Sequence, residues 1–390
     1  MFQLVREWPP GYGGVERVAH EVASAFVDRG MVSEVFTLVA QPQFFDQGDP
    51  LPVAYRRTKL ARLRFAELLI PLPCRSLIRL LGSPEPLHAH LPCPSVLILA
   101  ALAKVVQPER LVTMHWHAFL TWSPSIKGVL IRIYQHLALW LLPIFDRVIT
   151  TSPVLQDELI QAGLDSMSIA VLPCCLSAHC EQLALSIKRQ RVCNPSLDSG
   201  IIPTLRLISI SRLGSYKRVD WLLDAMQQAN QKLQCRGLPV VLHLDVVGDG
   251  PDRNHLQHQA KAKLPGLVSF HGRVDEQRKL ALLKDADLLV LLAASCNEAF
   301  GIVQLEAMAC GVAAVALSLP RSGMAWVSKN PVLPWNETLE ALPQLIEDLA
   351  LDPCLQVGAG QAARDRYLSL FERQRWLKQL AIAFPEIGCF

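Results

Sequence analysis

The sequence predicts an α/β fold made of two doubly wound domains with parallel sheets. Short apolar runs alternate with helical patterns along most of its length, and such alternation puts helices on both faces of parallel sheets. One polar, turn-rich stretch over residues 188–203, containing Arg189, Arg191, Asn194, Pro195 and Gly200, interrupts this alternation and reads as a linker. With 390 residues, 51% apolar and 19% charged, the chain can bury two cores of ordinary size.

The first series of strands is predicted at residues 2–5, 32–39, 111–114 and 147–150. A Pro-Pro-Gly-Tyr-Gly-Gly turn over 9–14 follows the first strand. A helix over 15–28 comes next, with Val18, Ala19, Val22 and Phe26 repeating at helical spacing. The second series is predicted at 205–210, 240–247, 268–270 and 288–292, each strand leading into a turn and a helical pattern. In doubly wound folds ligands bind beyond the carboxyl ends of the strands, so the chemistry belongs in these turns and in a cleft between two facing domains.

Composition excludes several classes. A net charge of +3 is too small for nucleic-acid binding by bulk charge. The mean hydropathy of +0.25 raises the question of membrane insertion. The apolar runs at 96–103 and 137–145 are too short for a spanning helix of about 20 residues. The longer uncharged stretch 86–103 contains His88, His90 and three prolines. The first thirty residues lack the order of a signal peptide, which gives the expectation of a soluble, cytoplasmic protein. Eleven cysteines, scattered from Cys74 to Cys389, read as buried thiols rather than a disulfide framework. The cluster of Cys174, Cys175, His179 and Cys180, with Cys193 downstream, lacks the two-residue knuckle spacing of zinc sites. No metal is expected.

Three turns carry candidate chemistry. The loop from Trp8 to Glu16 ends a strand and opens a helix, and Gly13 and Gly14 allow a ligand close to the backbone. The loop from Ser211 to Arg218 holds Arg212 and Lys217 five residues apart, two cations that can converge on a diphosphate, one as a fork and one as a point charge. A solvated basic loop has the same composition. In the loop from Ser295 to Gly301, a buried strand gives way to a helix predicted to start near Gly301, whose amides would face a phosphate. Glu298 precedes that helix and Glu306 lies within it among Ile302, Val303, Leu305, Ala307 and Met308. The two carboxylates therefore reach different parts of a long ligand, and each can accept paired hydroxyl donors.

Taken together these stretches resemble the retaining GT-B glycosyltransferases of family 4. Glu298-Ala-Phe-Gly-Ile-Val-Gln-Leu-Glu306 is similar to the family's paired-glutamate signature, and Ser-Arg-Leu-Gly-Ser-Tyr-Lys-Arg to its phosphate loop. Val246-Val-Gly-Asp-Gly-Pro251, Pro9 to Glu16, His88-Ala-His90-Leu-Pro92 and Thr151-Ser-Pro153 fall in the family's order. The resemblance implies a GT-B fold with two Rossmann-like domains. The amino-terminal, acceptor-binding domain covers 1–190, and the carboxyl-terminal, nucleotide-sugar domain covers 203–371. A helical pattern over 362–384 would return to the first domain, which it rejoins over about 372–390.

The same resemblance implies roles for individual residues. Arg212 and Lys217 match the pair that binds the donor diphosphate. Glu306 matches the carboxylate on the ribose, and Glu298 the one facing the transferred sugar. Ala299, Phe300, Gly301, Ile302 and Val303 match the donor-contacting segment, and Gly272, Arg273 and Val274 the backbone near the base. Gly13 and Gly14 match the loop that meets the donor from the other domain. His115-Trp-His117 matches the active-site histidine segment, with His117 aligned to the functional histidine and His115 as the alternative.

The implied donor is a UDP- or GDP-linked sugar, used as substrate and without a cofactor, and the implied acceptor is a glycan or a lipid-linked glycan. The implied chemistry is front-face retention, in which Arg212, Lys217 and a helix amino terminus stabilise the departing diphosphate. A nucleotide-sugar epimerase of the same fold and a non-catalytic nucleotide-sugar-binding protein are the rival readings.

Three features stand apart. Asp285-Ala-Asp287 has the spacing of a divalent-metal motif but joins a helix to a strand, and Cys296 reads as pocket lining. The sequence also departs from the family at Leu172-Pro-Cys-Cys-Leu176, where Pro-Asn-Gly is usual, and after Ser322-Gly-Met-Ala-Trp-Val327, where Gly-x-x-Gly-Leu-Leu is missing. Between Arg56 and Arg79 lie seven basic residues and one acid, interleaved with Leu60, Leu63, Phe65, Leu68, Leu69 and Ile70. That basic amphipathic segment gives the expectation of peripheral contact with the inner face of a membrane.

Overall fold

Parallel strands dominate both halves of the computed structural model, which describes residues 1–7, 13–39, 53–65, 68–187, 204–238 and 240–385. The chain divides into two compact units, Met1–Cys175 with Trp376–Phe390, and Leu176–Arg375.

The strands of the first unit are β1 (Phe2–Glu7), β2 (Glu34–Val39), β3 (Arg56–Lys59), β4 (Arg62–Phe65), β5 (Leu68–Pro71), β6 (Leu87–Leu91), β7 (Val112–Trp116), β8 (Arg147–Thr150) and β9 (Ile169–Val171). Seven of them form one sheet in the order β3-β2-β1-β6-β7-β8-β9, every pair parallel, while β4 and β5 make a separate antiparallel hairpin. Its helices are α1 (Gly14–Val27), α2 (Arg75–Gly82), α3 (Pro94–Val106), α4 (Ile126–Leu141) and α5 (Pro153–Gln161). Strands β6 and β7 are buried at every position, as a parallel sheet covered on both faces requires. Helix α1 turns Val18, Ala19, Val22, Ala23 and Phe26 inward, and Ala19 and Ala23 pack with Val5, Val35 and Tyr55.

The second unit begins with α6 (Ala178–Ser186). Its sheet is formed by β10 (Thr204–Ile210), β11 (Val241–Val247), β12 (Val268–Gly272), β13 (Leu288–Leu291) and β14 (Ala313–Ala316), in the parallel order β12-β11-β10-β13-β14. Helices α7 (Val219–Cys235), α8 (Arg253–Lys263), α9 (Glu276–Asp285), α10 (Val303–Ala309), α11 (Met324–Ser328), α12 (Leu342–Leu351) and α13 (Pro353–Leu370) complete it. The chain moves outward from β10 on one side through β11 and β12, then returns to place β13 on the other side. That reversal makes the carboxyl ends of β10 and β13 the switch point of the sheet.

The structure alters three expectations from sequence. The division falls at Cys175, ahead of residues 188–203, which lie outside the described residues, so the unit containing residue 1 does not run to 190. Helix α6 belongs to the second unit because Tyr367 donates to Glu181 at 2.7 Å and Arg364 donates to the Leu185 and Ile187 carbonyls. The terminal pattern over 362–384 is two helices, α13 and α14 (Arg373–Ala383), broken at Phe371. Helix α14 docks on the first unit: Trp376 Nε1 donates to the Pro173 carbonyl at 2.9 Å, and Phe384 packs edge-to-face on Phe26 and His88.

The third alteration concerns residues 56–79, which form an edge strand, a hairpin and a short helix rather than one amphipathic element. Arg56 and Arg79 turn back onto the buried carboxylate of Glu34, and Arg79 also lies over the rings of Phe2 and Phe36. Part of the basic character of this segment is therefore spent inside the unit.

Candidate active site

In the second unit the residues singled out from sequence gather at the carboxyl end of the sheet. The loop after β10 is fastened on both sides. Ser211 N and Leu213 N donate to the Val247 and Asp249 carbonyls at 3.0 Å each, and Ala294 N donates to the Tyr216 carbonyl at 2.8 Å. Gly248 and Gly250 make this approach possible. A Cβ on Gly248 (φ +127°) would lie 1.9 Å from the Ser211 carbonyl oxygen, and one on Gly250 2.1 Å from that of Leu213. The loop so fixed presents Arg212 to solvent and buries Lys217. Among the described residues Arg212 has no ion-pair partner. Arg218, by contrast, is structural: it pairs with Asp220 and stacks on Trp221 at 4.1 Å.

Across the switch point, Lys217 Nζ is hydrogen-bonded to Glu298 Oε2. Glu298 sits in the loop after β13, whose shape is held by contacts that the sequence does not announce. Ser322 Oγ donates to the Glu298 carbonyl at 2.6 Å, Gly323 N to the Ala299 carbonyl at 2.8 Å, and the buried Gln304 Nε2 to the Phe300 carbonyl at 2.7 Å. Phe300 packs edge-to-face on Trp326 and Phe371. Gly301 has φ +72°, and a Cβ there would come within 2.5 Å of Leu291 Cδ2. Helix α10 starts at Val303, two residues later than expected, with its first turn closed by Gln304 N on the Gly301 carbonyl. The Gly301, Ile302 and Val303 amides precede that bond, as at any helix start.

Glu306 lies on α10 and is 1% exposed. Its Oε1 is 2.7 Å from Nζ of Lys279, a residue of α9 that no sequence motif marks. Gly272 ends β12 with φ +68° and accepts from Gly248 N at 2.8 Å, followed by exposed Arg273 and half-buried Val274. Arg212, Lys217, Gly272, Glu298, Gly301 and Glu306 thus belong to one end of one sheet. The Asp285-Ala-Asp287 motif does not join them: the buried Asp287 accepts from Arg206 N at 2.9 Å and ties down β10. Cys296 is half-buried in the loop after β13.

In the first unit, four imidazoles pile up at the carboxyl ends of β6 and β7. His90 Nδ1 is 2.9 Å from His117 Nε2, and the Gln3 side-chain amide nitrogen donates to His90 Nε2 at 2.9 Å. His88 contacts Thr113 Oγ1 at 2.8 Å and His115 Nδ1 at 3.3 Å. His115 and His117 stack at 4.0 Å. Burial pushes His90 down to about 3 and holds His88, His115 and His117 well below the usual imidazole range, so all four are neutral. His115 is sealed inside the sheet, and His117 stands beyond the last strand residue at 7% exposure.

Ring nitrogens of His88, His90 and His115 lie within 4.8 Å of one another, a grouping that could hold a metal, although the same rings are engaged in the hydrogen bonds just given. Cys174, Cys175 and Cys180 are buried, whereas His179 points outward, so that cluster does not converge. Gly13 and Gly14 are exposed at the start of α1, and the Glu16 carboxylate folds back beside Gly13. Burial raises Glu16 to about 7. Residues 8–12 of the same loop lie outside the described residues.

The end of this sheet thus carries two cations at its switch point, one carboxylate in the loop before α10 and a second within that helix. The family model described as glycosyl transferases group 1 matches residues 203–365, and that described as glycosyltransferase family 4 matches residues 12–178. The chain belongs to the group 1 glycosyltransferases of GT-B fold.

Among curated proteins it is 23% identical to O-antigen chain mannosyltransferase C of Escherichia coli over 93% of this chain and 92% of that one. It is 30% identical to the UDP-N-acetylglucosamine–peptide N-acetylglucosaminyltransferase GtfA subunit of Streptococcus agalactiae over 32% of this chain. That match spans 22% of the relative's length. Among solved structures, HepE of Anabaena in complex with UDP and glucose superposes with a TM-score of 0.70 at 18% identity, over 99% of each chain. The chain is therefore a glycosyltransferase. No helix among the described residues is long and apolar enough to cross a membrane.

Proposed function

We propose that the protein transfers a sugar, with retention of anomeric configuration, from a nucleoside-diphosphate sugar to a glycan or lipid-linked glycan acceptor in polysaccharide or glycoconjugate synthesis at the cytoplasmic side of a membrane. The observation that carries this reading is the Lys217–Glu298 pair across the switch point, with the exposed Arg212 guanidinium on the same loop. The two members of the pair neutralise each other until a donor arrives with a partner for each. The diphosphate takes Lys217 and Arg212, and the hydroxyls of the transferred sugar take Glu298. Glu306, fixed by Lys279, accepts from the ribose hydroxyls.

As the bond between the anomeric carbon and the β-phosphate oxygen breaks, charge grows on the diphosphate, where the two cations and the amides of Gly301, Ile302 and Val303 stabilise it. The acceptor oxygen bonds to the anomeric carbon on the same face, and its proton passes to the departing phosphate. Glu298 holds the sugar and forms no covalent intermediate. In the first unit, Gly13, Gly14 and His117 keep the roles that family resemblance gives them, and a neutral imidazole at His117 suits contact with a hydroxyl. HepE was solved with UDP and glucose, and the Escherichia coli relative is an O-antigen chain mannosyltransferase, which supports a nucleotide-sugar donor and a glycan acceptor.

The test is binding and donor hydrolysis by the full chain against UDP-, GDP- and ADP-sugars, with and without EDTA, followed by the anomeric configuration of the product with a sugar acceptor. One donor should bind regardless of EDTA. Arg212→Ala/Lys217→Ala should lower turnover at least about a hundredfold, since removing one such donor of charge stabilisation costs about 3 kcal/mol. Failure of every donor to bind, or an inverted product, would overturn the proposal.

A further inference from the structure

Helix α4 of the first unit, which follows the histidine strand β7, turns an unusually apolar face to solvent. Ile126, Leu130, Ile133, Leu137, Trp140 and, just beyond the helix, Ile144 are all exposed, Ile126 at 85% and Trp140 at 75%. Their offsets of four, seven, eleven, fourteen and eighteen residues place them on one stripe of the helix. The opposite side, through Gly128, Tyr134, Gln135 and Ala138, packs on the unit. The neighbouring α3 adds exposed Ile98, Leu102 and Val105. Successive right-handed crossovers lay α3 and α4 on the same face of the sheet, so the apolar surface is continuous across two helices.

The rim of this surface is basic. Lys127 and Arg132 flank the stripe, Arg132 lies 5.4 Å over the ring of half-exposed Trp122, and no acidic residue occurs between Glu109 and Asp146. A second copy of the chain docked by a two-fold axis would set these cations against their own counterparts with no carboxylate to meet them. An anionic bilayer meets the same pattern with complementary charge. It also takes the apolar stripe among its acyl chains and suits the two tryptophans at the interface.

We propose that α4, with the adjoining face of α3, docks the protein in the plane of an anionic lipid surface. This locates on α4 the contact that the sequence suggested for residues 56–79. It also gives the acceptor reading a geometry: Ile126 is nine residues past His117, so the docked helix begins within about 30 Å of that imidazole even if the connection is fully extended. The lipid contact itself does not depend on which sugar is transferred.

The experiment is co-sedimentation of the full chain with vesicles of phosphatidylcholine alone and of phosphatidylcholine with about 30% phosphatidylglycerol, with light scattering to record the oligomeric state. The protein should pellet with the anionic vesicles and much less with the neutral ones. Lys127→Gln/Arg132→Gln should weaken partitioning about thirtyfold, at about fivefold for each basic residue near the surface. Leu130→Ser/Ile133→Ser/Leu137→Ser should weaken it at least about a hundredfold. Circular dichroism and native-state hydrogen exchange at the β6 and β7 amides should match the parent in both variants, showing that the first unit is intact, and nucleotide binding proposed for the second unit should be unchanged, separating this result from any failure of the proposed donor chemistry. Absence of vesicle binding would overturn the proposal, as would binding indifferent to both variants, or a dimer that the triple variant dissociates.

Discussion

Glu306 is the most deeply placed carboxylate of the candidate site, and Lys279 is the cation that supports it. With side chains 1% and 12% exposed and 2.7 Å apart, they form a largely desolvated ion pair. Removing one partner of such a pair strands a charge at a cost of about 3–5 kcal/mol, whereas replacing both with apolar groups is often close to neutral. Lys279→Met therefore should destabilise the second unit by about 3 kcal/mol. Glu306→Leu should cost less, because the Lys279 ammonium can swing toward water on its flexible stem. The double variant Lys279→Met/Glu306→Leu should be more stable than Lys279→Met alone. Native-state hydrogen exchange at the β13 and α10 amides reads these local opening energies without assuming that the two units unfold together. A coupling energy under about 0.5 kcal/mol in the cycle would show that Lys279 does not hold the carboxylate and would refute the role assigned to it. Donor binding supplies an independent check, since Lys279→Met keeps the carboxylate and should retain weakened binding that Glu306→Leu lacks.

Gly248→Ala should both destabilise the second unit by about 2–3 kcal/mol and weaken donor binding, because its Cβ would collide with the Ser211 carbonyl and displace the Arg212 loop; thermal unfolding and nucleotide titration test the two effects together. Gly301→Ala combines positive φ with a contact on Leu291 and should lose donor affinity while α10 itself remains helical by exchange. Glu16, raised from 4.5 to about 7, binds its proton more tightly in the folded chain. Its contribution is present below its unfolded value and lost as pH climbs through about 7, up to about 3 kcal/mol in all. Glu16→Gln should flatten the stability of the first unit between about pH 5 and about pH 8, as followed by urea unfolding. Because burial keeps all four histidines neutral, the pH–rate profile should show no limb that vanishes in His117→Asn between about pH 5 and about pH 8.

The fold class was legible because strand alternation and loop chemistry are local properties. Strands at Thr204–Ile210 and Arg147–Thr150, and the helix at Gly14–Val27, follow directly from apolar spacing. Strand β6 was harder to see, since His88 and His90 look polar in sequence and become core residues only when packed against His115 and His117. The short, charged β3 carries no alternation of its own and is defined by its pairing with β2. The diphosphate and ribose candidates stood out as charges flanked by glycine and apolar residues. Their supports Lys279 and Ser322 did not, because each lies more than twenty residues along the chain from the carboxylate or carbonyl that it holds. The same limit explains the boundary at Cys175, which depends on hydrogen bonds between α6 and residues near 364–373.

The return of α14 to the first unit has a consequence for biosynthesis. The second unit is one continuous stretch, whereas the first is closed by Trp376, Leu380 and Phe384, which leave the ribosome only after all of residues 176–375. A nascent chain can therefore hold a finished second unit while the histidine strands still lack the aromatic ring that packs edge-to-face on His88. Chains halted before Trp376 would carry a complete second unit beside an exposed apolar seam on the first, the form most open to chaperone capture and proteolysis.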